Sequence, residues 1–228
     1  MTLRTALLFQ AGNFVGREYL HALEAADMMP DLIASVGRMS DASIARERAR
    51  TGGRWNPPAP DPALDIPHFD SLKNETLWAR LRDARIDIAI QGGIGILTPE
   101  MLAVPRVGFV NVHPGRLPAY KGNTCPEWAL FNDDDIYATA HIIDAGIDTG
   151  PVICEGHFDV PADWDYHDIR ANLYRHCARV LLDALVILGG AEDPRTVLHP
   201  QDPNAGHYWQ PIPEDKLARV IDGRARAS

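Results

Sequence analysis

The chain has 228 residues, of which 46% are hydrophobic and 23% charged, and its formal net charge is −9 at neutral pH. That length suits one well-buried core plus a short appendage, since ~100–200 residues per domain is the usual range. A protein that mainly grips a phosphate backbone carries a basic face, and this composition argues against one; the arginines at 46, 48 and 50 are interleaved with Glu47. No apolar run approaches the ~18 residues of a membrane span, and Ala6–Phe9 is too short for the core of a signal peptide. Cys125, Cys154 and Cys177 lie far apart with no C-x-x-C pair, which fits a reducing, cytoplasmic setting and argues against a disulfide scaffold or a thiolate zinc site.

Strand and helix signals alternate. Leu3–Phe9 reads as a buried strand ended by Gly12-Asn13, and Phe14–Ala26 has helical spacing through Val15, Tyr19, Leu20 and Leu23. Asp31–Val36 is a second strand, and Ser40–Arg50 a helix with Ser40 or Asp41 as its N-cap. Residues 51–67, rich in Gly and Pro, read as a loop of the length typical of lids and binding segments. Ser71–Ala84 reads as a helix opened by a capping box, Ile86–Ile90 as a third strand, 98–100 as the start of a short helix, and Val107–Val112 as a fourth strand. Residues 136–143 and 152–160 suggest two paired strands joined by a loop, Tyr166–Leu188 the longest helix, and 214–221 a weak helix in a tail rich in Pro and Asp. Such alternation predicts an α/β fold: an open, mostly parallel twisted sheet with helices on both faces, a hairpin-like segment and a C-terminal helix. The expected division is a catalytic domain over 1–188 and an appendage packed on it over 189–228.

Open α/β sheets bind ligands beyond the carboxyl ends of their strands. The fourth strand ends in Asn111-Val112-His113-Pro114-Gly115, and period-2 alternation puts Asn111 and His113 on one face. An amide and an imidazole so placed are a good pair of donors for one oxygen. If the intervening chain folds back, Asp148 of the Asp-Thr-Gly-Pro turn can orient the imidazole of His113 and favour its charged form. Taken singly, each has a plainer explanation: a strand-end Asn as a cap, a His before Pro without a role, Asp148 stabilising its own turn.

Four ordered pieces carry a resemblance. They are residues 91–100 (QGGIGILTPE), 111–122 (NVHPGRLPAYKG), 126–129 (PEWA) and 140–151 (AHIIDAGIDTGP). Together they resemble the formyltransferase family that uses 10-formyltetrahydrofolate, well over about residues 80–160 and loosely over the first strands. The resemblance implies a Rossmann-like fold and a catalytic trio of Asn111, His113 and Asp148. It implies that the folate lies against the backbone of Gly92, Gly93, Ile94, Ile96 and Leu97, and against Asp144, Ala145, Gly146 and Ile147. Thr139 and His141 match family positions that line the same site. The implied chemistry is direct attack of a neutral amine on the formyl carbon, with Asn111 and protonated His113 donating to the oxyanion and Asp148 helping to move the amine's proton.

The acceptor is less sharply marked. The segment from Lys121 and Gly122 through Pro126 to Trp128 resembles the branches that formylate sugar nucleotides and tRNA. The run Gln10–Gly16 lacks the Gly/Ser-rich phosphate loop of the purine-pathway branch, and the chain after Leu188 leaves little room for the extra domain of the tRNA branch. His113–Pro118 departs from the Ser-Leu pair more usual in the family. A nucleotide-linked amino sugar is the first expectation; a purine-pathway ribonucleotide, or a folate- or nucleotide-binding module without catalysis, are the alternatives. A folate hydrolase would carry a further N-terminal domain, and a nicotinamide oxidoreductase would need a Gly-x-Gly-x-x-Gly that residues 10–16 lack. Gly12 and Asn13 read either as a tight turn or as a turn that presents helix N–H groups to a diphosphate. Trp55 either packs within its own loop or stacks a sugar or base, and Tyr208-Trp209-Gln210-Pro211 reads as tail packing. His157, His167, His176 and Cys177 lack metal-ligand spacing, so no metal is expected. The expected partners are small molecules, with neither nucleic acid nor membrane, and a homodimer on general frequency alone.

Overall fold

Apolar β-branched runs form the strands and three-to-four-residue apolar spacing forms the helices. The computed structural model describes residues 3–202 and 204–225. In chain order the elements are β1 (Thr5–Ala11), α1 (Phe14–Ala25), β2 (Leu32–Arg38), α2 (Asp41–Arg50), β3 (His68–Phe69), α3 (Glu75–Asp83), β4 (Ile88–Gly92), α4 (Pro99–Leu102), β5 (Gly108–His113), β6 (Tyr120–Gly122), α5 (Cys125–Phe131), β7 (Tyr137–Ile142), β8 (Val152–His157), α6 (Tyr166–Gly190), a 3-10 turn (Pro194–Val197), β9 (His207–Trp209) and α7 (Glu214–Ala225).

Seven strands form one sheet in the order β3-β2-β1-β4-β5-β7-β8. Strands β3 through β5 in that order pair in parallel, whereas β7 runs antiparallel to β5 and to β8. The expected mostly parallel sheet with a hairpin-like addition is what forms. Alternation along the strands sorts two cores. Leu7, Phe9, Ile88, Ile90, Val110 and Val112 face α1 and α6. Ala6, Leu8, Ala89 and Phe109 face Leu77, Trp78 and Leu81 of α3. The strand order reverses between β1 and β4, where crevices open in such sheets. There Asn13 bridges the two loops: its Oδ1 accepts from the N–H groups of Val15 (2.8 Å) and Gly16 (3.3 Å), and its Nδ2 donates to the Gly93 carbonyl (3.4 Å).

Two expectations about helix starts are corrected. Helix α3 begins at Glu75, because Asn74 Oδ1 caps it through the Thr76 N–H (3.0 Å). Ser71 closes only a local turn onto the Lys73 N–H (3.3 Å), so there is no capping box. Ser40 is the cap of α2.

The tail also has more order than its composition suggested. Strand β9 pairs in parallel with β6 in a separate two-stranded ribbon. Upstream of it, His199 and Val152 exchange two backbone hydrogen bonds of 2.8 Å each. Trp209 stacks on Tyr120 (5.4 Å, 11°) and leans on Trp128 (4.6 Å), which makes the tail aromatics packing residues.

Candidate active site

On the β5–β7 pair, Asn111 lies opposite His141, and His113 lies opposite Thr139. Directly opposed residues of antiparallel strands share a face, so these four polar side chains form one patch. The other face of the same strands is apolar and covered by α6. Strand β6 and the loop 144–151 close over the polar patch.

The trio comes together. His113 is buried (5% exposed) and its Nδ1 lies 3.4 Å from Asp148 Oδ2. The same carboxylate oxygen accepts the Gly122 N–H at 2.8 Å. His113 Nε2 donates to the Tyr120 carbonyl at 2.7 Å. Both ring nitrogens thus face acceptors, and a doubly protonated ring can donate to each. Asn111 reaches the patch through His141, with 3.1 Å between Asn111 Nδ2 and His141 Nε2.

His141 is held as a neutral ring. Its Nδ1 bonds the Ile142 carbonyl (3.1 Å), so that nitrogen carries the proton and Nε2 accepts from Asn111. Burial pulls its pKa down from 6.5 to about 4; His113 pushes the same way, against the opposing pull of Asp148. The 3.7 Å approach of Nε2 to Asp148 Oδ1 is therefore not an ion pair, because desolvation outweighs the carboxylate. Asn111 keeps one amide hydrogen for a substrate oxygen.

Backbone geometry sets Asp148. It sits in the left-handed region at φ 57°, uncommon outside glycine and most often tolerated by Asn and Asp. Asp144 Oδ1 organises the approach by accepting from the Gly146 N–H (3.0 Å) and the Thr149 hydroxyl (2.7 Å). Gly150 lies so close to the Ile142 carbonyl that a Cβ there would meet its oxygen at 1.8 Å. On the other side, the Thr139 hydroxyl donates to the Gly115 carbonyl (2.7 Å) and accepts from the Leu117 N–H (3.2 Å), fixing the turn after β5.

The loop after β4 is shaped by Gln91, which accepts the Gly93 N–H (2.9 Å) and donates to the Gly95 carbonyl (3.3 Å). Gly93 and Gly95 both adopt positive φ. Ile94 and Leu97 are buried in the core beneath. Ile96 is 90% exposed, and Ile147 of the other loop is 57% exposed, with Asp144, Ala145 and Gly146 exposed beside it. Exposed apolar loop tips on two neighbouring loops suit the cover of a flat heterocycle.

Several sequence expectations are corrected. Trp55 stacks nothing from solution: it is 1% exposed, its ring lies on Tyr174 (4.2 Å, 12°) with Phe14 against it edge-on, and its Nε1 donates to Glu18 Oε2 (2.7 Å). Lys121 is buried, and its ammonium is committed to the Ala205 carbonyl (2.8 Å). Trp128 is buried, with Nε1 on the Gln210 carbonyl (2.8 Å), and Pro126 is buried beside it. Gly12 and Asn13 form a tight capped turn, and the cap already occupies the N–H groups of Val15 and Gly16 that a diphosphate would use. Gly122 belongs to the site through its backbone. Cys125 is a buried thiol pushed up to about 12 by desolvation, then by Asp148 and Glu127, which removes it as a nucleophile. No sequence signal marks the Tyr120 carbonyl or the Gly122 N–H, which are backbone groups, or Gln201, whose side chain holds the Asp148 turn from the far tail.

An open doubly wound sheet with an Asn–His–Asp cluster on its carboxyl side defines a class of group-transfer proteins. The chain belongs to the formyl transferase family, whose sequence pattern it matches over residues 33–185. It is similar to methionyl-tRNA formyltransferase of Deinococcus radiodurans, 32% identical over 152 residues that cover 65% of this chain and 46% of the relative. It is likewise similar to methionyl-tRNA formyltransferase of Roseiflexus castenholzii, 31% identical over 176 residues, 76% of this chain and 52% of the relative. The chain thus spans about half the length of these curated relatives. Among solved structures, a sugar N-formyltransferase from a Shewanella species superposes with TM-score 0.59 at 11% identity, covering 92% of this chain and 77% of that one. Phosphoribosylglycinamide formyltransferase from Streptococcus pneumoniae gives TM-score 0.58 at 22% identity, covering 82% and 99%.

Proposed function

We propose that the chain transfers a formyl group from 10-formyltetrahydrofolate to the amine of a small acceptor, with a nucleotide-linked amino sugar as first choice. The single observation that carries the chemistry is the meeting of Asn111, His113 and Asp148 on one face, with His113 Nδ1 3.4 Å from the carboxylate. The folate would lie against residues 92–97 and 144–147, where Ile96 and Ile147 offer apolar cover. It supplies the formyl carbon; the protein supplies donors and a proton path. Asn111, with one amide hydrogen held by His141, donates the other to the oxygen that gains negative charge as the amine adds. His113 donates from Nε2 once that N–H exchanges the Tyr120 carbonyl for the substrate, the kind of tightening on binding that catalytic groups often show. Asp148 holds the opposite nitrogen and takes up the amine's proton; as the tetrahedral adduct collapses, the bond between the formyl carbon and the folate nitrogen breaks, that nitrogen receives the proton, and tetrahydrofolate leaves.

For the acceptor, charge supports a small molecule over tRNA, despite the names of the sequence relatives. The net charge is −9, and Arg116, on the turn after β5, is spent on Glu155. The test is an assay with 10-formyltetrahydrofolate against a panel of amines, followed by mass analysis of the acceptor. Formylation of a nucleotide-linked amino sugar supports the proposal. Transfer only to a purine-pathway ribonucleotide or to methionyl-tRNA overturns the acceptor, and no transfer to any amine overturns the activity.

A further inference from the structure

The catalytic turn is clasped by a side chain from the far end of the chain. Gln201 Nε2 donates to two carbonyl oxygens at once, that of Asp148 (3.1 Å) and that of Gly150 (2.6 Å). These carbonyls converge because Asp148 adopts φ 57° and Gly150 is pressed against Ile142. The other end of the same amide is neglected: Gln201 Oε1 is buried without a hydrogen-bond partner. A buried acceptor left without a partner is destabilising. Glu47 Oε2, Glu127 Oε2 and Arg170 Nε are likewise buried without a partner; what sets Gln201 apart is that its donor end is spent on two carbonyls of one turn.

The same tail supports the second hold on Asp148. The Gly122 N–H that binds its carboxylate lies on β6, and β6 is paired with β9. Lys121 reaches the Ala205 carbonyl, and the Asn123 N–H reaches the Trp209 carbonyl (2.9 Å). Backbone and carboxylate of Asp148 are therefore each fixed from residues 199–210.

We infer that this tail segment is a positioning device for the catalytic carboxylate and that Gln201 is a positioning residue for formyl transfer. The inference rests on the role proposed for Asp148. Its mechanism is geometric: without the clasp the left-handed turn relaxes and the carboxylate drifts from His113. Small misplacements of reacting groups lower turnover while leaving substrate contacts in place.

The experiment compares Gln201→Met, which keeps the length and removes both donors and the orphan oxygen, with Gln201→Glu and Asp148→Asn in the full chain. For Gln201→Met the expectation is a fall in kcat of tenfold or more, KM for the formyl donor within about twofold, an unchanged or raised melting temperature, and a displaced limb in the pH profile of kcat/KM. Gln201→Glu presents a carboxylate to two carbonyl oxygens, so its activity relative to wild type rises as pH falls and the new carboxyl regains one O–H donor. A purely structural role gives the reverse: a lowered melting temperature with normal kcat per folded molecule. That result, or kcat within twofold of wild type for Gln201→Met, overturns the inference. If Asp148→Asn itself retains normal turnover, the assigned trio fails instead. Inactive Asp148→Asn beside fully active Gln201→Met overturns the clasp alone.

Discussion

Two buried polar regions of this molecule are built to opposite rules. Where α2, α5 and α6 meet, Glu127 and Arg170 are 1% and 2% exposed, and the charges are matched. Glu127 Oε1 accepts from the Tyr166 hydroxyl (2.9 Å) and lies 3.5 Å from Arg170 Nε and 3.8 Å from Arg50 Nε. Burial alone would pull the Arg170 guanidinium down, but Glu127, Tyr174, Tyr166 and Glu47 together hold it above its ordinary value. On the β5–β7 face, one carboxylate meets two imidazoles and an amide, and one imidazole is kept neutral. The ionic junction has the charge pairing that fixes a frame. The face proposed to be catalytic has hydrogen-bonding partners that can release a donor to a substrate. Removing a group from the first should lower stability, and removing one from the second should lower turnover.

The largest expected effect tests the ionic side. Arg170→Ala leaves buried Glu127 with only the more distant Arg50 and the Tyr166 hydroxyl, and breaking a buried pair in this way typically destabilises by about 3–5 kcal/mol, measurable by urea unfolding. Pairing it with Glu127→Gln should recover much of that loss. A single variant as stable as wild type would break the contrast. Trp55→Ala should cost about 3–5 kcal/mol as a core truncation, with KM unchanged. A raised KM at unchanged stability would instead restore Trp55 as a ligand platform.

On the catalytic side, Asn111→Ala and His113→Ala should each lower kcat by roughly 10²–10³, about 3–4 kcal/mol, with thermal stability and folate binding nearly intact. Near-normal turnover in either one removes its assigned role. A smaller effect concerns pH. His141 has a folded pKa of about 4 against 6.5 unfolded, so the unfolded chain binds the extra proton first. Its contribution is complete above pH 6.5 and is lost as pH falls from 6.5 towards 4. His141→Asn should therefore flatten the fall in stability across that window, seen as melting temperature against pH. The smallest effect sharpens the difference between buried and exposed ions. Arg54 pairs with Asp165 and holds it down to about 2, but both are solvent-accessible, so Arg54→Ala should change stability by less than about 1 kcal/mol.

The fold was legible where burial is periodic. The runs at 6–9, 86–90 and 107–112 announce strands because both of their faces are covered. The trio was legible through strand alternation together with the motif resemblance. What escaped has a common cause: long-range pairing leaves no local pattern. Tyr120–Gly122 is too short to show a period, and its partner strand lies more than eighty residues away. Lys121 looks like a surface cation until a distant carbonyl covers it. Trp55 sits among prolines, and only the folded position of Tyr174 makes it core. Gln201 lies in a polar tail whose composition says loop, and its function depends on where two carbonyls happen to converge.

The left-handed backbone at residue 148 has a consequence for how this position tolerates change. Asn, though uncharged, is the gentle replacement, because it shares the short polar side chain that accepts this conformation. Glu keeps the charge yet is the harsher exchange, since its longer arm displaces the carboxylate and its backbone resists the turn. Among relatives, the pattern expected at this site is therefore strict retention of aspartate, with charge-preserving drift to glutamate as rare as outright loss.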